Sequence, residues 1–190
     1  MIEGVILAAG YSSRAKVNKL IEEVAGRPLL VRCIEGMYEA VSRILVVGGY
    51  KINELPPLLE GYTKCELVYN SQFEKGMFSS VLSGLRLCVG DRVFITPGDY
   101  PYITKGVYLR LLEDSGEITV PVYDNSPGHP VLMSKNMINR LLSEPRYLSL
   151  QEFIAQHNSS KISVETSGIL LDIDTPEDFI AANHYGKDLP

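Results

Sequence analysis

The sequence predicts a three-layer α/β/α fold, in which helices cover both faces of a mostly parallel central sheet. Short β-branched runs alternate with longer stretches of helical period, and no repeat, low-complexity tract or linker interrupts this alternation. Strands that alternate with helices imply crossover connections, which give parallel sheets covered on both faces. With 190 residues, of which 45% are hydrophobic, we expect a single domain over residues 1–190.

Eight apolar, β-branched runs are predicted as strands: Val5–Ala8, Arg43–Val47, Glu66–Tyr69, Arg92–Thr96, Ile118–Val122, Val131–Met133, Ile162–Val164 and Ile169–Ile173. Six segments of helical period are predicted as helices: Pro28–Ala40, Met77–Cys88, Thr104–Leu112, Asn136–Leu142, Leu150–His157 and Thr175–Asn183. Because ligands of such sheets gather at the carboxyl ends of the strands, the loops after Ala8, Thr96 and Ile173 are the places to look for chemistry.

Net charge, cysteine spacing and the length of apolar runs exclude several classes of binding partner and cellular location. A formal charge of −5 argues against a broad nucleic-acid or anionic-membrane surface, since such partners are held by massed Lys and Arg. The three cysteines Cys33, Cys65 and Cys88 lie far apart, which favours reduced thiols over disulfides or metal ligands. No apolar run reaches transmembrane length and no signal peptide precedes the first strand, so we expect a cytoplasmic protein.

The segment from Leu7 to Lys19 has the chemistry of a phosphate-binding loop. It leaves a strand through Ala8, Ala9 and Gly10, which are small enough to let a ligand approach backbone amides, and Gly10 can adopt a positive φ. Hydroxyl and cationic donors follow at Ser12, Ser13, Arg14, Lys16 and Lys19. The alternative is a tight turn whose basic residues face water. The segment matches neither GxGxxG nor GxxxxGK[ST], which disfavours dinucleotide and P-loop sites.

Carboxylates stand at two other predicted strand ends. Asp99 follows the Arg92–Thr96 run on a proline-flanked turn, where a divalent cation beside a triphosphate would compensate its charge. Asp172 and Asp174 flank Ile173, and strand alternation would place both on one face, with Asp174 as the better second metal ligand. The alternative is that Asp-Thr-Pro-Glu-Asp only caps a helix; both roles can coexist, with Thr175 as the cap.

Taken in order, the motifs resemble the MobA-like NTP transferase family, most closely its molybdenum cofactor cytidylyltransferase branch. The resemblance spans nearly the whole chain and rests on Leu7-Ala-Ala-Gly-x-Ser-x-Arg-x4-Lys19, Gly26-Arg-Pro-Leu-Leu30, Asn70 with Gly76-Met-x-Ser-Ser80, Gly98-Asp-x-Pro101, Gly128-His-Pro-Val131 and Leu171-Asp-Ile-Asp-Thr-Pro-Glu-Asp178. It departs from the family pattern at Ala15-Lys16, where Met-Gly is usual, at Tyr100, where glutamine is frequent, and at Pro127.

This resemblance implies a Rossmann-like nucleotidyltransferase of the nucleotide-diphospho-sugar transferase type, which transfers CMP from CTP to molybdopterin carrying molybdenum and releases pyrophosphate. It implies catalytic roles for Arg14, Lys19 and Asp99, Mg²⁺ held by Asp99 and Asp174, and contact of His129 with the acceptor. A molybdoenzyme or its chaperone is the implied partner. The implied nucleotide-binding residues are Leu7, Ala8, Ala9, Gly10, Ser12, Arg14, Lys19, Asn70, Ser79, Ser80, Pro97 and Gly98.

Several alternatives stay open at this stage. Ala9 stands where the guanylyl branch has glycine, and its methyl favours the smaller cytosine base, yet a relative that uses GTP, a sugar phosphate or another small phosphate would keep the same fold. A noncatalytic carrier of the molybdenum cofactor is a further alternative. Ser79 and Ser80 stand where helix caps are common, and His129 and Asn70 can serve structure alone.

Overall fold

The computed structural model describes residues 1–10 and 18–185 of the protein. Its strands are β1 (Ile2–Ala8), β2 (Glu23–Val24), β3 (Arg27–Pro28), β4 (Arg43–Gly48), β5 (Cys65–Tyr69), β6 (Arg92–Pro97), β7 (Ile118–Tyr123), β8 (Ser126–Pro127), β9 (Val131–Ser134) and β10 (Ser160–Ser163). The α-helices are α1 (Leu29–Tyr38), α2 (Pro56–Leu59), α3 (Met77–Leu85), α4 (Lys105–Leu112), α5 (Lys135–Ser143), α6 (Leu150–Ala155) and α7 (Pro176–Tyr185). Short 3-10 helices form at Lys19–Ile21, Ile52–Glu54, Phe73–Lys75 and Ser167–Leu170.

The main sheet has the strand order β10-β7-β9-β6-β1-β4-β5, with β8 paired to β7. Neighbours are parallel along β6-β1-β4-β5 and between β10 and β7, whereas β9 runs antiparallel to both β6 and β7. The carboxyl ends of β1, β4, β5 and β6 therefore meet at one edge of the sheet. Because β9 is antiparallel to β6, with Val131 opposite Ile95, the start of β9 lies at that same edge.

Side-chain alternation along the strands divides the core into two layers. On β1, Ile6 and Ala8 pack on the face covered by α1 and α4, whereas Val5 and Leu7 pack on the face covered by α3 and α5. Each of these four helices turns a buried apolar side toward the sheet. The predicted three-layer fold with a mostly parallel sheet is confirmed. Within the residues that the structure describes, no helix is long and apolar enough to cross a bilayer.

Most predicted elements form within a few residues of their expected bounds, but the predicted strand Ile169–Ile173 is wrong. Thr166 accepts a hydrogen bond from the Gly168 amide and starts a 3-10 helix at Ser167–Leu170, after which the chain is extended without joining the sheet. Gly168 packs so closely on Tyr102 that an added Cβ would lie 2.3 Å from the Tyr102 carbonyl oxygen. The segment therefore crosses the carboxyl edge of the sheet instead of extending it. We call residues 167–174 the strap.

Candidate active site

A cleft of about 530 Å³ opens along the carboxyl edge of the sheet. The loops that line it follow β1, β5 and β6 and precede β9, and the strap also contributes to its wall. Ligands of open α/β sheets bind at this edge because the loops that leave parallel strands converge there. The cleft is thus the place where the sequence predicts chemistry.

The turn that carries Asp99 is fixed to the neighbouring strand and helix. The Gly98 amide donates to the Leu7 carbonyl at 2.9 Å, and the Cys33 thiol donates to the Gly98 carbonyl at 3.2 Å. An added Cβ on Gly98 would lie 3.1 Å from the Leu7 carbonyl oxygen, so a larger residue would push the turn away from β1. Pro97 ends β6 and lines the cleft. Together these contacts hold Asp99 at the mouth of β6.

Lys19 lies between two carboxylates. Its ammonium group donates to Asp99 Oδ2 at 2.7 Å, to Asp174 Oδ1 at 2.5 Å and to the Ile173 carbonyl at 3.0 Å. Burial alone would lower the pKa of Lys19, but the charge and hydrogen bonds of Asp99 and Asp174 outweigh burial and raise the pKa above its ordinary value. The lysine is therefore a permanent cation, and the structure brings together three predicted site residues.

The position of Lys19 follows from the short 3-10 helix on which it stands. Asn18 caps this helix, because its Oδ1 accepts from the Leu20 amide at 3.2 Å, and Leu20 is 6% exposed in the core below the loop. The polar contact of Asn18 and the buried side chain of Leu20 therefore fix the backbone on either side of Lys19.

The phosphate loop is described only as far as Gly10. Leu7, Ala9 and Gly10 line the cleft, Ala8 is 3% exposed in the core, and an added Cβ on Gly10 would contact no atom of the described residues. The expected positive φ at Gly10 is not found; the backbone reaches the cleft without it. The predicted donors Ser12, Ser13, Arg14 and Lys16 lie outside the described residues, so their roles remain predictions.

Asn70 ties the loop after β5 to the start of α3. Its Nδ2 donates to Ser79 Oγ at 2.8 Å and to Ser80 Oγ at 3.0 Å, while its Oδ1 accepts from the Gln72 amide and the Ser83 hydroxyl. The asparagine is 2% exposed, and of this group only Ser80 lines the cleft. Asn70 and Ser79 thus hold Ser80 in place, and their predicted contact with nucleotide stays a prediction.

His129 and Tyr100 meet at the end of the cleft formed by β6 and β9. Their rings are edge to face, with centroids 4.7 Å apart and an interplanar angle of 68°. Burial lowers the pKa of His129 to about 4 and raises that of Tyr100 to about 12. Both side chains are therefore neutral at pH 7. The buried Nδ1 of His129 has no hydrogen-bond partner among the described residues.

The strap contributes Asp172 and Asp174, but not by strand alternation as the sequence predicted, because no strand forms here. It is tied to the cleft by the Ile173 amide, which donates to the Asp99 carbonyl at 3.0 Å. Burial, with the neighbouring charges of Asp174 and Asp99, raises the pKa of Asp172. After the strap, Thr175 and Asp178 cap α7 reciprocally, since each side chain accepts from the other residue's amide. Capping and placement of Asp174 in the cleft coexist.

Seven residues that line the cleft are not among the predicted site residues: Leu20, Phe73, Glu74, Gly76, Met77, Tyr100 and Asp172. In the sequence, Tyr100 stands out only as a departure from the family pattern, and Asp174 is the better predicted metal ligand of the two strap aspartates. Phe73 and Met77 lie within the predicted motif from Asn70 to Ser80, yet no local signal showed that this loop turns toward β1. Adjacency to Asp99 and to Asp174 is the signal that points to Tyr100 and Asp172.

Comparison with known proteins agrees with this geometry. The model of the MobA-like NTP transferase domain matches residues 4–161. The chain belongs to the MobA-like NTP transferase family. The molybdenum cofactor cytidylyltransferase of Escherichia coli is 30% identical over 183 residues, which cover 95% of each chain. A probable molybdenum cofactor guanylyltransferase of Bacillus cereus is 24% identical over 200 residues, 98% of this chain and 96% of the relative.

A solved structure confirms the fold independently. A nucleotidyl transferase from Methanothermobacter thermautotroptrophicus superposes with a TM-score of 0.82 at 20% identity, covering 97% of each chain. The family predicted from the motifs is therefore confirmed, and so is the nucleotidyltransferase fold. Members of the family differ in the nucleotide that their names give, so the identity of the substrates needs a separate argument.

Proposed function

We propose that the protein transfers CMP from CTP to molybdenum-loaded molybdopterin and releases pyrophosphate. The choice of substrates rests on the 30% identity to the Escherichia coli cytidylyltransferase, which extends over 95% of both chains. A reaction that consumes a nucleoside triphosphate fits the predicted cytoplasmic location. The product would pass to a molybdoenzyme or its chaperone.

The charge of the cleft supports binding of a triphosphate together with added cations. Among its described lining residues, Glu74, Asp99, Asp172 and Asp174 are acidic and Lys19 is basic. Such a surface repels a bare triphosphate. A metal ion must therefore add its positive charge to that of Lys19 and of Arg14, whose role is predicted. In this proposal Lys19 exchanges at least one carboxylate partner for a phosphate oxygen, because Asp99, Asp174 and the Ile173 carbonyl already engage the three donors of its ammonium group.

Asp99 fits a divalent cation. Its Oδ1 is buried, and no group of the described residues donates to it, while Oδ2 is held by Lys19. No cluster of three or more His, Cys, Asp or Glu side chains able to hold a metal forms within residues 1–10 and 18–185. Mg²⁺ suits such a site because it takes one or two carboxylates and completes its shell with phosphate oxygens and water. Asp99 and Asp174 would hold it, and the ion would neutralise phosphate charge.

The transfer itself needs little proton chemistry from the protein. An oxygen of the acceptor phosphate forms a bond to the α-phosphorus of CTP, the bond from that phosphorus to the bridging oxygen breaks, and its electron pair leaves with pyrophosphate. A phosphate monoester is largely dianionic at neutral pH, so no general base is required. The rate enhancement then comes from orientation of the reactants and from charge compensation by Lys19, Arg14 and the backbone amides near Gly10.

The surroundings of Ala9 support a small base. Ala9 is 6% exposed and lines the cleft, and an added Cβ on the adjacent Gly49 would lie 3.0 Å from its methyl and 2.5 Å from Phe73 Cβ. The end of β1 is therefore closely packed against the loops after β4 and β5. A methyl group at this point leaves less room for a purine than glycine would. Ser80, held by Asn70, adds a hydroxyl to the same wall.

A second candidate is transfer of GMP from GTP, which the 24% identity to the Bacillus cereus guanylyltransferase favours. Incubating the protein with Mg²⁺, molybdenum-loaded molybdopterin and either CTP or GTP, followed by mass analysis of the product, separates the two. The cytosine dinucleotide is the expected product, and a clear preference for GTP would contradict the proposal. CTP binding without turnover would indicate a noncatalytic carrier.

Lys19→Ala and Asp99→Ala test the assignment of the catalytic residues. Each should lower pyrophosphate release by about two to three orders of magnitude, the cost of losing one preorganised electrostatic contact. Lys161→Ala and Asp91→Ala are matched controls, because Lys161 lies on the edge strand β10 and Asp91 precedes β6 at the opposite edge of the sheet. The controls should keep the wild-type rate. Near-normal rates in the first two variants would remove these residues from the mechanism.

A further inference from the structure

The strand order sets which reactant lies at which end of the cleft. From one end to the other, the lining comes from His129 before β9, Asp99 and Tyr100 after β6, Ala9 after β1, and Phe73 after β5. From β9 to β5 there are four strand spacings of about 4.8 Å, or about 19 Å in all. This length accommodates two reactants side by side, with Asp99 and Lys19 between the two ends.

The end formed by Tyr100, His129 and the strap carries no positive charge among the described residues, apart from the already paired Lys19. The neutral His129 cannot attract a phosphate as a cation, and Asp172 would repel one. The Asp172 side chain is exposed and lines the cleft, so its carboxylate can accept hydrogen bonds from a bound ligand. What this end offers is the surface of a tyrosine ring beside an acceptor of hydrogen bonds.

Close backbone contacts hold these groups in fixed relation. The His129 amide donates to the Ile169 carbonyl at 3.0 Å, and an added Cβ on Gly128 would lie 2.3 Å from the same oxygen. His129 in turn packs edge to face against Tyr100. The loop before β9, the loop after β6 and the strap thus form one preorganised corner, which we define as Tyr100, His129 and Asp172.

We propose that this corner binds the ring portion of the acceptor, a flat heterocycle bearing N–H donors, and leaves the acceptor phosphate to reach toward Lys19. The heterocycle packs on Tyr100 and donates hydrogen bonds to Asp172, while His129 positions the Tyr100 ring. This inference rests on the proposed nucleotidyl transfer and names the residues and chemistry that select its second substrate. An aromatic face and a charged hydrogen bond are both effective means of holding such a ring.

The test uses the full-length protein and the variants Tyr100→Leu, Tyr100→Phe and Asp172→Asn. Binding of a soluble fluorescent pterin, 6-hydroxymethylpterin, is followed by quenching, and the KM values for CTP and for molybdenum-loaded molybdopterin are measured by pyrophosphate release. Tyr100→Leu and Asp172→Asn should weaken pterin binding and raise the acceptor KM about tenfold, with the CTP KM within twofold of wild type. Tyr100→Phe, which keeps the ring, should bind nearly as wild type.

Met77→Ala serves as the mirror variant, because Met77 lines the opposite end of the cleft and is 62% exposed. It should raise the CTP KM and leave pterin binding unchanged. If the corner variants bind pterin and acceptor like wild type, or if they weaken CTP instead, the assignment of the corner is wrong. Failure of the proposed function itself looks different, since the wild-type protein would then transfer no CMP to the acceptor. Circular dichroism confirms that each variant is folded.

Discussion

Replacing Lys19 with methionine should have opposite effects on two properties of the site. Methionine preserves much of the length of the side chain and removes its charge, so the gap between Asp99 and Asp174 loses the ammonium that now fills it. Turnover should fall by about two to three orders of magnitude, because the triphosphate loses a preorganised cation. The affinity for a divalent cation alone should rise, because the ammonium no longer competes for the same oxygens.

The size of the second effect follows from the exposure of the two ion pairs. Lys19 and Asp99 are 16% and 17% exposed, and a charged hydrogen bond of this kind contributes about 1.5 kcal/mol. Asp174 is 51% exposed, so solvent screening reduces its pair to about 0.5 kcal/mol. Removing the ammonium should therefore make the free energy of cation binding more favourable by about 2 kcal/mol, which corresponds to a gain in affinity of about thirtyfold.

The assay is titration with Mn²⁺ in the absence of nucleotide, followed by paramagnetic resonance of the free ion, beside pyrophosphate release under saturating substrates. Asp99→Asn provides the matched comparison, since it keeps the shape of the side chain and should lose both metal binding and turnover. A misfolded Lys19→Met protein would lose both properties as well, so the rise in affinity excludes misfolding as the cause. If Mn²⁺ binds no more tightly to Lys19→Met than to wild type, the ammonium does not occupy a cation position.

Three further predictions concern other parts of the cleft. Ala9→Gly should shift the CTP to GTP preference toward GTP by about tenfold, the scale of one methyl group in a packed pocket, measured as a ratio of kcat/KM values. Asn70→Ala should lower the free energy of unfolding by about 2 to 3 kcal/mol in urea titration, because it leaves buried partners unsatisfied, whereas Ser83→Ala should cost about 1 kcal/mol. Burial lowers the pKa of His129 from about 6.5 to about 4, against the smaller opposing effect of Asp172, so the unfolded chain takes up a proton that the folded chain excludes. Stability should therefore fall by about 2 kcal/mol between pH 7 and pH 5, and His129→Gln should remove that part of the slope.

The architecture could be predicted from the sequence because its elements are locally encoded. Runs such as Arg43–Gly48 and Arg92–Pro97 are apolar and β-branched, and both form strands of the central sheet with nearly the expected bounds. The strap shows where this reasoning fails. Ile169–Ile173 has strand-like composition, yet Thr166 and Gly168 direct the chain into a 3-10 helix that packs on the loop after β6. Tertiary packing overrode a local preference, and the sequence alone gives no measure of that contact.

The candidate site was predicted in part for the same reason. The sequence predicts Asp99 at the end of one strand and Lys19 in the loop that follows another, and their contact follows because β1 and β6 are adjacent in the sheet. The pairing of Tyr100 with His129 had no such local signal. It depends on β9 entering the sheet antiparallel beside β6, so that the loop before β9 meets the loop after β6. Strand order is a property of the whole chain, and the periodicity of one segment does not contain it.

The strap links the two halves of the cleft. Asp174 contacts Lys19 in the middle of the cleft, and Asp172 lies at the corner with Tyr100. The backbone that carries both is fixed at Ile173 by the Asp99 carbonyl and at Asp174 by the side chain of Asp178, which caps α7. A displacement of this segment would move Asp174, the proposed metal ligand, and Asp172, the proposed acceptor contact, together. In the proposed reaction, the eight residues of the strap thus serve both reactants.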